Sequence, residues 1–196
     1  MLIPHGKFHI HISPAACLLF ALLILELPIQ WLFAAAVAAS FHELCHALAV
    51  RICHGRLETI HIGHLGAQIR AEISAPAQEL LCTLAGPFSA LLLLLFVRYI
   101  PRIAICAAVH SLYNLLPFPQ LDGGRALSIL LRMIHPETAD RICKWVQLIF
   151  IGFSWTGACY LSFFCGFGIM PLIFALSVSA AAKKTLQTMH ETGTIV

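Results

Sequence analysis

Residues 145–164 run for twenty positions without one charged side chain. A helix needs about 20 mostly apolar residues to cross the hydrocarbon of a bilayer. Lipid offers backbone groups no partner, so such a run must satisfy its own hydrogen bonds as a helix. The stretches 8–25, 30–50, 77–97, 103–116 and 167–182 are similarly apolar, with Glu43 and Glu79 as their only Asp, Glu, Lys or Arg side chains. Together they raise the hydrophobic share to 60% and leave 11% charged residues. A soluble domain carries about 45–50% and about 25%. This balance excludes a disordered chain, a nucleic-acid binder and most soluble enzymes. The expected fold is a single all-α polytopic membrane domain over 1–196, with about six transmembrane helices.

The links between the runs are short, with one exception. Residues 51–76 form a polar link with rough alternation over 59–69, which predicts a short β-like loop between spans two and three. The fourth run is broken by Pro117 and Pro119, which stop a helix and free backbone groups. Such backbone is tolerated at membrane depth only where protein or a wet cavity covers it. A helix is expected to restart near Asp122. Of the twelve lysines and arginines, only Arg98 and Arg102 fall on the side away from the N-terminus. By the positive-inside rule the termini and long links are cytoplasmic. No cleavable leader is expected. The eight cysteines stand singly, with no CxxC pair, and read as packing residues.

The second run carries His42-Glu43-Leu44-Cys45-His46, an HExxH motif. Residues four apart on a helix lie one turn up on the same face. Both imidazoles therefore aim at one point, a two-ligand zinc seat, with Glu43 beside it as a proton acceptor. Composition alone produces this pattern about 0.02 times in such a chain. Ionisable residues inside an apolar span are expensive and default to function. A catalytic zinc takes a third protein ligand. Asp122 is the candidate: Pro117 and Pro119 unwind the approach to it, and Gly123-Gly124 lets backbone come close.

The HExxH in one span, followed after another by Asn114-x-x-Pro117-x-x-x-Leu121-Asp122-Gly123, resembles the site-2 protease family of intramembrane zinc metalloproteases. Gly86-Pro87 in the third span also resembles a family element. The asparagine usual three places after that proline is replaced by Ala90. The resemblance covers roughly 8–131 and is strongest to the stage IV sporulation protein FB branch. The second-to-third link is too short for a PDZ domain, and a CBS domain is not expected.

The resemblance implies one zinc per chain, held by His42, His46 and Asp122, with Glu43 as general base. It implies Asn114 as a polar contact to substrate or developing oxyanion, a task its side-chain NH₂ suits. The implied partners are a membrane-spanning or membrane-associated protein substrate, the lipid bilayer, and inhibitory or activating membrane proteins. The implied place is a bacterial cell membrane, and the implied task regulated intramembrane proteolysis, with pro-sigma-factor processing implied only if the source forms endospores. The 59–69 stretch is a candidate to pair with an opened substrate as an added strand. His110, four before Asn114, either lines the pocket or is a structural histidine. His61, His64 and the N-terminal His5, His9 and His11 read as interfacial polar residues. The alternative function is a membrane metal transporter or metal-binding protein, although transporters tend to show two interrupted helices in related halves.

Overall fold

The computed structural model describes residues 9–12, 28–63, 66–73, 75–166 and most of 168–182. Six helices dominate: α1 (Ile29–Ile52), α2 (Pro76–Leu94), α3 (Pro101–Asn114), α4 (Asp122–Ile134), α5 (Ala139–Phe163) and α6 (Pro171–Ala180). Three of them, α1, α2 and α5, are long and apolar enough to cross a membrane. The chain is thus a multi-pass membrane protein by its fold.

The burial pattern is inverted relative to a soluble helix. On α1 the buried stripe is Ala34, Ala38, His42, His46 and Val50, at four-residue spacing, while Phe33, Leu44, Leu48 and Ile52 are exposed. On α2 the buried residues are Cys82, Thr83, Gly86, Pro87, Ser89 and Ala90. Lipid tails are as apolar as leucine, so burying leucine between helices gains little there. Small residues allow close backbone approach instead. Ala38, Ala90 and Ala107 meet in one cluster, one from each of α1, α2 and α3. Ala90 thus fills a packing position where the family pattern has an asparagine.

Three strands form one sheet in the order β1 (His9–Ile12), β2 (Arg56–Gly63), β3 (Gly66–Glu72). β1 runs parallel to β2, with His9 opposite Thr59. β2 and β3 are antiparallel, closing at Gly63 opposite Gly66. β2 follows α1 through a turn in which His54 adopts a left-handed φ of 57°. The sheet therefore stands at the end of α1 nearer His46, and β2 and β3 both touch α1.

Several boundaries differ from expectation. The first span was expected over 8–25, but 9–12 is a strand; alternating His9-Ile10-His11-Ile12 suits a ladder, and its partner lies some fifty positions away. The rest of that span, 13–25, lies outside the described residues. α2 stops at Leu94, and 95–99 turn ahead of Pro101. α5 starts at Ala139, inside the expected polar link, because apolarity marks where a membrane begins and not where a helix begins. α3 has 14 residues, about 21 Å by helical rise, short of the ~30 Å hydrocarbon core.

Candidate metal centre

Two turns of α1 set the first pair of donors. His42 and His46 are both buried, and their Nε2 atoms lie 3.2 Å apart. Asp122 comes from the first residue of α4, across the break that Pro117 and Pro119 make. Its Oδ2 lies 3.0 Å from His42 Nε2 and 3.1 Å from His46 Nε2. Two features hold it there. Phe118 and Leu121 pack with Val178 of α6, anchoring the connection. A Cβ on Gly123 would stand 2.1 Å from the Leu115 carbonyl oxygen, and one on Gly124 2.1 Å from that of Phe118. Only glycine lets α4 start so close to the preceding backbone.

These three donors fit a metal ion. A tetrahedral zinc with bonds of about 2.0–2.1 Å holds its ligand atoms about 3.3 Å apart, close to the three edges seen. His46 Nδ1 donates to the Cys82 carbonyl at 2.7 Å, so in the neutral ring Nε2 carries no proton. That bare nitrogen faces a carboxylate oxygen at 3.1 Å, two acceptors with no proton between them. A cation satisfies both. The Cys82 carbonyl fixes ring orientation and tautomer, as outer-shell partners of ligating histidines do. His42 Nδ1, by contrast, is buried without a hydrogen bond.

Space for the ion is kept by α2. A Cβ on Gly86 would lie 2.2 Å from His46 Nε2 and 2.6 Å from His42 Nε2. Any side chain at 86 would occupy the seat. Among the described residues, His42, His46 and Asp122 form the group able to hold a metal ion. Glu43 follows His42 directly on α1, is half-buried and lies outside that group. It is therefore beside the donors and free of them.

Asn114 closes α3 and is buried. Its Nδ2 lies 3.0 Å from His110 Nε2 and donates to the His110 carbonyl at 3.1 Å. Both amide protons are thus committed. The NH₂ expected to meet an oxyanion is engaged, and the carboxamide oxygen is what Asn114 has left to offer. The His110 ring packs edge-to-face on His42, with centroids 4.7 Å apart.

The 59–69 stretch is not one free strand. β2 is central, with β1 and β3 on its two sides, so 59–63 has both edges taken. Among the described residues, β1 and β3 stand at the sheet edges. His61 pairs in register with Gln68 in the sheet, while His5 and His64 lie outside the described residues.

No family model matches the sequence, and no curated protein matches it. Among solved structures, the chain is similar to the site-2 protease from Methanocaldococcus jannaschii, with a TM-score of 0.63 over 94% of this chain and 93% of that one. It has the fold of a site-2 protease. Sequence identity is 18%, so the likeness is one of architecture. On this fold a buried His-His-Asp group able to hold a metal ion stands at the meeting of α1, α2 and α4.

Sequence reasoning missed one contributor and named two others without their contacts. The Cys82 carbonyl is backbone and leaves no residue signature. Gly86 is visible as a Gly-Pro pair, but nothing in the pair tells which atoms it faces. His110 is marked by its four-residue spacing from Asn114, yet its contact with His42 crosses from α3 to α1.

Proposed function

We propose that this protein is an intramembrane zinc endopeptidase that hydrolyses a membrane-spanning or membrane-associated segment of another protein. The observation that carries the reading is the convergence of His42, His46 and Asp122 within 3.0–3.2 Å, beside a glutamate that is not a ligand. A metal transporter would instead tend to show two interrupted helices in related halves, a pattern the sequence does not repeat.

His42, His46 and Asp122 would hold one zinc. Zinc bound there supplies Lewis acidity toward water and toward a peptide carbonyl. Glu43 accepts the proton of the attacking water at its carboxylate and returns it to the leaving amine. Asn114 meets the substrate as a polar contact. The substrate helix must unwind first, because its carbonyls are otherwise engaged in helical hydrogen bonds. An edge strand near the site suits an opened segment by strand addition. β3 is placed for this, since it lies at the edge of the sheet and touches α1. Proline scanning over 66–72 is expected to lower cleavage at alternate positions; unchanged cleavage throughout would contradict strand addition.

The six-span count, cytoplasmic termini and a bacterial cell membrane follow from the apolar runs, the lysine and arginine distribution and the resemblance. The stage IV sporulation branch, and with it pro-sigma-factor processing, is supported by the motif resemblance and the short α1–α2 link. Inhibitory or activating membrane proteins are the regulators such a peptidase would meet.

The test is co-expression with candidate membrane-associated substrates, wild type against Glu43→Gln. The variant is expected to keep its metal and lose cleavage by at least about 10²-fold, the lower range for a proton-transfer group. Cleavage by a metal-loaded Glu43→Gln protein at the wild-type rate would refute the general-base role.

A further inference from the structure

We propose that His110 is a positioning residue that ties Asn114 to the metal seat. It is not one of the three donors, and the chemistry above makes no use of it. Two sets of contacts carry the inference.

The first set concerns His42. Its neighbour His46 is oriented by a hydrogen bond from Nδ1 to Cys82. His42 has no such bond, and its buried Nδ1 is unpartnered. Its ring is held by other rings instead: His46 at 4.8 Å and 78°, and His110 at 4.7 Å and 87°. His110 thus supplies ring packing to a ligating histidine that lacks the outer-shell hydrogen bond such rings normally have.

The second set concerns Asn114. A terminal amide rotates broadly about its last torsion. Here the His110 main-chain oxygen decides which end is NH₂, since a carbonyl can only accept. The other amide proton goes to His110 Nε2, 3.0 Å away. That nitrogen is therefore the bare one, and the ring proton sits on Nδ1. One ring consequently walls a metal ligand and fixes the rotamer of the amide that faces substrate. His110 contributes no atom to either partner's chemistry, so it acts through them.

The inference rests on the peptidase reading for its kinetic arm, but not for its metal arm. The probes are Co²⁺, whose visible band reports ligand geometry, and a fluorogenic single-span peptide in detergent that the wild type cleaves. His110→Phe keeps a ring against His42 and removes the acceptor. His110→Gln keeps an acceptor and removes the ring. The Phe variant is expected to show the wild-type cobalt band and a kcat/KM lower by roughly tenfold, the scale of one lost hydrogen bond. The Gln variant is expected to regain most of that kcat/KM while its cobalt band shifts. In an Asn114→Ala background, His110→Phe is expected to cost nothing further. Wild-type behaviour of both variants on both readouts would overturn the proposal, as would full additivity with Asn114→Ala. Wild-type protein that binds Co²⁺ and cleaves nothing would overturn the peptidase reading, while the cobalt band of His110→Gln would still judge the hold on His42.

Discussion

Gly86 shows how little freedom a single position in this site has. Its missing side chain is the space in which the donors meet, and a methyl group there would contact both imidazole nitrogens. Gly86→Ala is expected to abolish one-to-one metal binding without unfolding the protein, because the helix itself favours alanine. Gly152 on α5 has nothing within 4 Å of an added Cβ and serves as the control. Gly152→Ala should bind metal like wild type. Metal titration of the two purified variants checks this, and tight binding by Gly86→Ala would contradict the geometry. Residue chemistry was the most legible level in the sequence. A four-residue spacing of two histidines dictates convergence on one helix face, and the structure brings them together. Asp122 was legible only beside the HExxH motif: alone it reads as a plain helix N-cap, and the two histidines are what call for a third ligand. The engagement of the Asn114 NH₂ by His110 was not legible, since it depends on which torsions the two side chains adopt.

At the level of elements, the site depends on how closely three helices pack. Ala38, Ala90 and Ala107 sit one turn along their helices from His42, Gly86 and the His110–Ser111 turn. Their small size sets the spacing that lets α2 backbone reach the donors. Ala107→Leu would force the helices apart. Overpacking of this kind costs about 1–3 kcal/mol. It is expected to lower the thermal midpoint in detergent and to weaken metal binding together; an unchanged midpoint would contradict the close-packing argument. Apolar runs revealed where helices lie but not which faces meet, because every face of α1 is apolar or small outside the motif. Strand β1 was hidden for a different reason. Four residues beside an apolar run look like its extension, and only a distant partner makes them a strand.

Across the whole molecule, the fold carries segments far apart in sequence to one point. His42 and Asp122 are eighty positions apart, and their donor atoms are 3.0 Å apart. A membrane interior makes such an assembly costly unless something offsets the buried charge. A bound cation would do so, and its ligation would also tie α1 to α4. The architecture that brings these residues together is shared with a solved site-2 protease at 18% identity. Multi-pass topology was readable from composition alone, whereas the sheet beside the site needed the fold.

The central claim is that these three side chains share one ion. The direct measurement is metal content per chain of detergent-purified protein, for wild type, Glu43→Gln and Asp122→Ala. One zinc per chain is expected in the first two, and loss of zinc on dialysis in the third. Full zinc retention by Asp122→Ala would contradict the account.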